Sequence, residues 1–314
     1  MIILGVESTA HTFGVGIVND KGEVLANAYD SYTSDVGMIL DDVAEHHNKV
    51  ADDVLKKAFK EANLSWGQVD LISYSAGPGL DPVLWAGYHI TKKWAKDNNK
   101  KLVGINHCCA HLSIGKVFNK LKDPCYLYVS GVNTQVIVQE GGKYRVMGET
   151  LDIGLGNMLD KLGRILGMGF PAGPKIEEMA KKGKYIELPY IVKGMDTSFS
   201  GILTRCEQLL DKGVSKEDLC FSVQETCFAM LAEVTERAMA HNDKTELLLV
   251  GGVGANKRFC EMMEIMCKER SAKFYKVPMS LAGDQGAMIA WEGFLRREES
   301  GDIEVSPHWR TDEV

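Results

Sequence analysis

Two histidines in the segment NHCCAHLSIGK have the spacing of a metal-binding pair. His107 and His111 are four residues apart, so on an α-helix their imidazoles lie on one face, about one turn apart. Imidazole nitrogens are common ligands of zinc and iron, and two of them on one helix face can share an ion. Two nitrogens alone leave the ion incompletely coordinated, and short motifs of this kind also occur by chance. The pair therefore indicates a candidate metal site that needs further ligands.

The same segment disfavours a zinc protease. The protease motif H-E-x-x-H places a glutamate, the general base, directly after the first histidine. Here Cys108 occupies that position, and Cys109 and Ala110 follow it. Because no base is supplied, proteolysis is the weaker hypothesis.

The strands that would position these residues occur in a repeated pattern. A unit of three strands separated by polar turns, IILGVE, FGVGIV and EVLANAY, returns near the middle of the chain as CYLYVSG, QVIVQ and YRVMGET. Repetition of a supersecondary unit at two distant places predicts two lobes of related architecture.

Helices and strands alternate after each of these units. Helical periodicity marks residues 36–64, PVLWAGYHITKKWAK, 156–167, 174–183, 215–241, ANKRFCEMMEIMCKE and a last helix through LAGDQGAMIAWEGFLRR; the strands between them are DLISYS, KLVGIN, ELLLVGG and KFYKV. This alternation predicts an α/β fold. We expect a first lobe over 1–118, to which a tail of residues 295–314 returns, and a second lobe over 119–294. A nucleotide cleft is expected between them, because turn amides donate to phosphates.

Glycine-rich turns follow several of the predicted strands. SAGPGL, LLLVGGVGAN and FPAGP each permit a close approach of the backbone to a ligand. Neither the Walker motif nor G-x-G-x-x-G is present, so the usual phosphate-binding loops are excluded.

The charge balance limits how the chain could bind nucleic acid. With 36 basic and 43 acidic residues, the formal net charge is −7, which opposes a phosphate backbone. Binding would depend on local patches or on basic partners, although such charge runs usually only solvate a surface. The candidate patches are Lys92, Lys93, Lys96, Lys100 and Lys101, and Lys181, Lys182 and Lys184.

The eight cysteines are scattered without C-x-x-C spacing, which predicts reduced thiols rather than a zinc ribbon or a disulfide framework. No apolar run approaches the roughly 18 residues of a membrane helix, and the N-terminus lacks a basic leader. We expect a cytoplasmic protein.

Several motifs together resemble one family over nearly the whole chain. The segments are GVESTAHT, SAGPGL, NHCCAHL, YVSGVNTQV, GETLDIGLGNMLDK, FPAGPKIEEMA, DTSFSGILT, LLLVGGVGANKRF, DQGAMIAWEG and the tail PHWRTDEV. In this order they resemble the universal tRNA threonylcarbamoyladenosine transferases, most closely the archaeal and eukaryotic catalytic subunit of the KEOPS complex, which is related to bacterial TsaD. The resemblance implies the duplicated fold of actin, hexokinase and the heat-shock chaperones.

The resemblance also implies an activity, a metal and partners. The activity is metal-dependent transfer of a threonylcarbamoyl group from threonylcarbamoyl-AMP to the adenosine 3′ of the anticodon, in tRNAs reading codons that start with A. Expected partners are tRNA, a small dimerising subunit, an atypical kinase-ATPase and a regulatory subunit. Asp284 and Tyr128 would join His107 and His111 around one divalent ion, iron or zinc.

Further positions follow from the resemblance. The adenine nucleotide, threonylcarbamoyl-AMP or ATP, would contact Tyr128, Val129, Ser130, Gly131, Val132, Asp160, Gly173, Glu177 and Asn256. Glu7 lies in the first turn, where related kinases keep an acid for magnesium or water. Val132, Ala172 and Gln285 depart from the family motifs, which leaves the pocket dimensions open. Two alternatives remain: a small-molecule kinase of the same fold, and a nucleotide-responsive scaffold that has lost catalysis.

Overall fold

The computed structural model describes residues 1–34, 39–299 and 303–314. The strands are β1 Ile2–Glu7, β2 Thr12–Asn19, β3 Val24–Ser31, β4 Leu71–Gly77, β5 Lys101–Asn106, β6 Cys125–Val129, β7 Thr134–Glu140, β8 Lys143–Glu149, β9 Val192–Lys193, β10 Asp196–Thr197, β11 Glu246–Val250 and β12 Lys273–Lys276. The helices are α1 Leu40–Ala62, α2 Asp81–Asp97, α3 His107–Phe118, α4 Leu155–Ile165, α5 Gly173–Ala180, α6 Ser200–Asp211, α7 Lys216–His241, α8 Lys257–Glu269, α9 Met279–Ala282 and α10 Gly286–Leu295. The start predicted for the first helix, at residue 36, lies outside the described residues.

The chain divides into two compact units, one of Met1–Phe118 with Gly283–Val314 and the other of Asn119–Ala282. The sheet of the first unit has the order β3-β2-β1-β4-β5, in which β1 is antiparallel to β2 and parallel to β4. The second unit has the corresponding order β8-β7-β6-β11-β12, and β6 is antiparallel to β7 and parallel to β11. Because order and strand directions repeat, the predicted duplicated α/β fold is confirmed.

The last helix, α10, belongs to the first unit. From the sequence we had expected residues up to 294 to belong to the second lobe. A Cβ atom at Gly5 would lie 2.1 Å from the backbone nitrogen of Ala290, and one at Gly16 would lie 2.0 Å from that of Ala287. Glycine at both strand positions therefore lets α10 lie directly on β1 and β2. This close packing ties residues 286–295 to the N-terminal sheet.

The helix predicted through LAGDQGAMIAWEGFLRR is interrupted. Residues 283–285 separate α9 from α10, and the Gln285 side chain accepts a hydrogen bond from the Met288 N–H as the N-cap of α10. The interruption leaves Asp284 on a short link before the helix. A cap at this point provides a reason for the new helix start.

Each unit has its own apolar core. Buried side chains of the first include Val6, Phe13 and Tyr74, while Phe228 and Phe259 stack in the second with ring centroids 4.7 Å apart. Helix α6 and the short β9–β10 hairpin were not predicted. Among the described residues, no helix combines the length and the apolar character needed to cross a membrane.

Candidate metal centre and nucleotide-binding loops

The two histidines lie on one helix, α3, which is the setting in which their spacing places both imidazoles on one face. The chain passes directly from β5 into α3, which begins at His107, and both imidazoles are buried. Their ring centroids are 4.7 Å apart and the planes are nearly perpendicular, at 87°. Asp284 reaches them from the link before α10. One ligand atom from each of His107, His111 and Asp284 lies within 4.8 Å of the others.

The separations within this triad suit a shared ion. Asp284 Oδ1 lies 3.3 Å from His111 Nε2 and 3.5 Å from His107 Nε2. Two ligand atoms that bind a tetrahedral zinc ion at about 2.1 Å are themselves about 3.4 Å apart. The two separations from Asp284 therefore fit an ion of this size, and the nitrogen and oxygen donors are those of zinc and iron sites.

A second carboxylate, that of Glu7, contacts His107 of the triad. Glu7 ends β1 and is fully buried; its Oε1 accepts hydrogen bonds from the Thr9 N–H at 2.7 Å and the Thr9 hydroxyl at 2.5 Å. Its Oε2 lies 2.9 Å from His107 Nδ1. A carboxylate in this position holds a proton on Nδ1, so Nε2 is the nitrogen that would bind a metal once its own proton is released. The sequence had assigned Glu7 only a role seen in related kinases, with no link to a histidine.

The electrostatics of the site follow from these contacts. Burial disfavours a charged His107, but the charge and hydrogen bond of Glu7 and the charge of Asp284 raise its pKa to about 9. Burial lowers the pKa of His111. Burial also opposes ionisation of Asp284, yet the His111 hydrogen bond and the His107 charge hold the pKa of this carboxyl below its usual range. Two carboxylates beside two imidazoles make the site attractive to a cation.

The predicted phosphate-contacting residues form a turn in the second unit. Tyr128 and Val129 end β6, both buried. The turn Ser130–Asn133 closes with a hydrogen bond from the Ser130 N–H to the Asn133 carbonyl at 2.8 Å. The start of α4 secures it, because Gly156 N–H donates to Ser130 O at 3.1 Å and Asn157 N–H to Gly131 O at 2.9 Å. Tyr128 belongs to this unit, and its place among the metal ligands stays a prediction.

The other predicted nucleotide contacts gather near the starts of α5 and α8. Asp160 Oδ1 accepts the Ala172 N–H at 2.9 Å, and burial raises the pKa of this carboxyl. Glu177 Oε1 accepts the Lys257 N–H at 2.9 Å.

Asn256 and Gly173 complete this set. Asn256 caps α8 by accepting the Phe259 N–H at 3.0 Å, and its amide donates to Gln224 Oε1 at 2.6 Å. A Cβ atom at Gly173 would meet no atom within 4 Å. Three polar side chains thus hold the loops together beside an unobstructed glycine, and their contacts with a nucleotide stay predictions.

Several solved structures share the fold of this chain. A crystal structure of HypF from Thermococcus kodakarensis matches 95% of this chain and 48% of its own with a TM-score of 0.68 at 15% identity. The component A of an Acidaminococcus fermentans 2-hydroxyglutaryl-CoA dehydratase matches 95% of this chain and all of its own, with a TM-score of 0.58 and 14% identity. At these identities the likeness concerns the fold alone: a duplicated α/β fold of two mixed sheets with helices.

Sequence comparison then defines the family. Residues 23–291 match the model of the TsaD family, tRNA N6-adenosine threonylcarbamoyltransferase. Proteins of that name from Thermococcus kodakarensis and Archaeoglobus fulgidus are 52% and 48% identical, over 100% of this chain and 98% of each relative. A Methanocaldococcus jannaschii relative named as a probable bifunctional tRNA threonylcarbamoyladenosine biosynthesis protein is 45% identical, and this chain spans 60% of it. The chain belongs to the tRNA N6-adenosine threonylcarbamoyltransferase family and is a transferase.

Proposed function

We propose that this chain transfers the threonylcarbamoyl group of threonylcarbamoyl-AMP to the N6 amine of the adenosine 3′ of the anticodon, in tRNAs that read codons starting with A. The observation that carries the proposal is the buried triad of His107, His111 and Asp284, backed by Glu7, in a chain of this transferase family. In the reaction the amine nitrogen bonds to the carbamoyl carbon and loses a proton. The bond from that carbon to the phosphate oxygen breaks, and AMP leaves.

One divalent metal ion, iron or zinc, is the proposed cofactor. His107, His111 and Asp284 would hold it, and Tyr128 is the candidate for a further oxygen ligand. A bound ion would supply Lewis acidity that attracts a carboxylate or phosphate oxygen and offsets charge as AMP leaves. The side chains do the rest of the work at this site: Glu7 fixes the proton on His107 Nδ1, and the ionised Asp284 keeps both Nε2 atoms directed at one point. No protein nucleophile is required, because the donor is already an activated anhydride.

The nucleotide moiety is assigned to the loops of the second unit. In this proposal the turn after β6, Val129–Val132, contacts the phosphate and acyl groups, in keeping with its backbone hydrogen bonds to the start of α4. Asp160 and Glu177 each accept one backbone N–H with one carboxylate oxygen. A carboxylate can accept several hydrogen bonds. Their remaining capacity suits ribose hydroxyls. Gly173 and Asn256 border the adenine.

Partners are proposed from charge and from the family. A net charge of −7 gives the chain little attraction for tRNA, so basic partners should supply much of the affinity. We assign it to the cytoplasm as the catalytic subunit of a KEOPS complex, together with a dimerising subunit, a kinase-ATPase and a regulatory subunit. In the relatives named as bifunctional, this chain matches 60% of the length, so further sequence is joined to the matching segment there.

The two alternatives explain the site less well. A kinase of this fold would need a catalytic acid for phosphoryl transfer, but it would have no use for a paired histidine site. A scaffold without catalysis would not require Glu7 to be fully buried against His107, since that arrangement serves a ligand nitrogen.

Nucleoside mass spectrometry tests the proposal. The protein, with its partner subunits, is incubated with unmodified tRNA and threonylcarbamoyl-AMP, and the digested tRNA is analysed for threonylcarbamoyladenosine. We expect the modified nucleoside only when the donor is present; ATP alone should not replace it. Phosphorylation of a small molecule without any modified adenosine would favour the kinase, and neither product would favour the scaffold.

A further inference from the structure

Asn106 links the metal-binding helix to the rest of its unit. It is the last residue of β5, directly before His107, and it is fully buried. Its Oδ1 accepts the backbone N–H of Cys109 at 3.1 Å, three residues along the chain. This is the hydrogen bond of a helix N-cap, which satisfies a donor of the first turn. Asn106 therefore fixes where α3 begins, and with it the first of the two histidines.

The amide nitrogen of the same side chain bonds to the C-terminal tail, residues 303–314. Asn106 Nδ2 donates to the carbonyl of Trp309 at 3.3 Å and to that of Arg310 at 3.2 Å. One side chain thus accepts from the helix with its oxygen and donates to the tail with its nitrogen. An amide combines both capacities, whereas a carboxylate would place an acceptor against two carbonyls.

The tail itself is anchored where β4 ends. Ser306 N–H donates to the Ala76 carbonyl at 2.7 Å, and Gly79 N–H donates to the Pro307 carbonyl at 3.1 Å. The Tyr74 hydroxyl also donates to the carbonyl of Ile303. The two carbonyls that receive the Asn106 amide are therefore held by backbone contacts that do not involve α3.

A second contact joins the tail to α3. The thiol of Cys109 lies 3.7 Å from the carbonyl oxygen of Thr311, and Thr311 is buried. Cys109 is thus fixed twice, by its N–H to Asn106 and by its thiol to the tail. Because His107 and His111 flank it on the same helix, this attachment limits rotation and sliding of both imidazoles.

From these contacts we propose that Asn106 is a positioning residue for the metal centre and that the C-terminal tail is part of its support. The inference rests on the proposed metal site. Asn106 touches no ligand atom; it acts through the start of α3, which sets the aim of both Nε2 atoms at Asp284. Loss of the amide donors should let the helix start move, and metal affinity should fall before the fold is lost.

Asn106→Asp is the decisive variant, because it retains an oxygen for the Cys109 N–H but places a carboxylate against the tail carbonyls. Asn106→Ser also retains a capping oxygen but lacks the amide nitrogen that donates to the tail carbonyls. Ser215→Ala is the matched control: Ser215 caps α7 in the other unit by accepting the Asp218 N–H at 3.1 Å. The Ser215→Ala variant loses a helix cap that belongs to the other unit.

The measurements are Co²⁺ affinity in competition with a coloured chelator, the visible spectrum of bound Co²⁺, and the melting temperature of the metal-free protein. We expect both Asn106 variants to bind Co²⁺ at least about tenfold more weakly, because substitution of residues that support metal ligands commonly costs this much affinity. The visible spectrum of bound Co²⁺ should also change. Ser215→Ala should melt lower yet bind Co²⁺ like the wild type.

The outcomes separate the two proposals. If the Asn106 variants retain wild-type affinity and spectrum, or lose affinity no more than Ser215→Ala does, the positioning role is wrong although the metal site stands. If the wild type itself fails to bind Co²⁺, the metal site is wrong. If Asn106→Asp does not fold, Asn106→Ser decides by the same criteria.

Discussion

Glu7 Oε2 lies 2.9 Å from His107 Nδ1, so a fully buried carboxylate holds the proton on the ring nitrogen that faces away from Asp284. A histidine that ligates a metal through Nε2 must be neutral, with its proton on Nδ1. The contact therefore selects the tautomer that a metal needs. The contact joins the end of β1 to the start of α3, which follows β5. In the sheet, β4 lies between β1 and β5.

Glu7→Gln should weaken metal binding roughly tenfold to a hundredfold, with a comparable loss of transfer activity. With its oxygen kept on Thr9, the new amide would point a donor at His107 Nδ1, which favours the tautomer protonated on Nε2. Isothermal titration with Zn²⁺ measures the change. Asp30→Asn is the matched control, because Asp30 Oδ1 pairs with His46 Nε2 at 2.8 Å outside the triad. Equal Zn²⁺ affinity in both variants would contradict the role of Glu7.

His111→Ala should lower bound metal and transfer activity together. Two of three ligand groups remain, and too few protein donors are left to retain an ion. Elemental analysis of the purified protein and a transfer assay on the same sample check this expectation. His241→Ala removes an exposed imidazole at the end of α7 and should change neither quantity. A His111 variant with normal metal content and full activity would refute the ligand assignment.

Glu177→Ala should weaken the binding of threonylcarbamoyl-AMP about tenfold to a hundredfold and leave the metal content unchanged. A charge-assisted hydrogen bond to the ligand is worth roughly 1.5–3 kcal/mol. Because Glu177 also accepts the Lys257 N–H, the alanine variant loses a structural contact as well.

Glu177→Gln separates these effects, since glutamine retains an acceptor for Lys257 and loses only the charge. Calorimetric titration of the nucleotide, beside melting temperatures, compares the two variants. If both bind the nucleotide normally and only the alanine variant melts earlier, Glu177 is a structural cap and its assignment to the ribose fails.

Acidification should destabilise the first unit through His47. This side chain is fully buried, and burial, followed by the charge of His46, lowers its pKa from 6.5 to about 4. Between these values the unfolded chain takes up a proton that the folded chain excludes. The free energy of unfolding is therefore unaffected above about pH 6.5 and falls by up to roughly 3 kcal/mol as the pH drops to about 4.

Urea unfolding at pH 7 and pH 4.5 measures this effect. His47→Gln should show a smaller loss of stability between the two pH values than the wild type, while His241→Gln should match the wild type. An identical pH dependence in all three proteins would contradict the assignment to His47.

The isolated chain should bind tRNA weakly, with a steep dependence on salt. Its charge of −7 opposes the phosphates, and only local lysines such as the exposed Lys93 and Lys96 of α2 attract them. Fluorescence anisotropy at about 50 and about 200 mM salt measures how steeply the affinity for tRNA falls with salt concentration. Reversing both charges should weaken binding further. Tight binding at the higher salt that survives this reversal would contradict the prediction.

The strands of the two five-stranded sheets and the spacing of the histidine pair were predictable because their signals are local. Alternating apolar residues marked β1, β2, β6 and β7, and a four-residue spacing marked the pair on α3. The helix α6 was missed because its start depends on a distant group. Asp152 accepts the backbone N–H groups of Phe199 and Ser200, each at 2.9 Å, from 47 and 48 residues away.

The support of the triad was hidden for the same reason. Glu7 and His107 are 100 residues apart, and Asn106 reaches carbonyls 203 and 204 residues further along the chain. Neither periodicity nor spacing encodes such contacts, because the order of strands in the sheet creates them. In the structure Gly286 allows close packing against the strands. In the sequence it looks like an ordinary glycine within a helical pattern, so the link before α10 was predicted as part of one helix.

The most direct test of the central claim couples metal content to transfer. The wild-type protein is stripped with a chelator, zinc or iron is added back in steps, and threonylcarbamoyladenosine formed in tRNA is measured against metal bound per chain. We predict that transfer disappears on stripping and returns in proportion to bound metal until one ion is bound per chain, and that His111→Ala does not recover. Undiminished transfer by the metal-free protein would contradict the account.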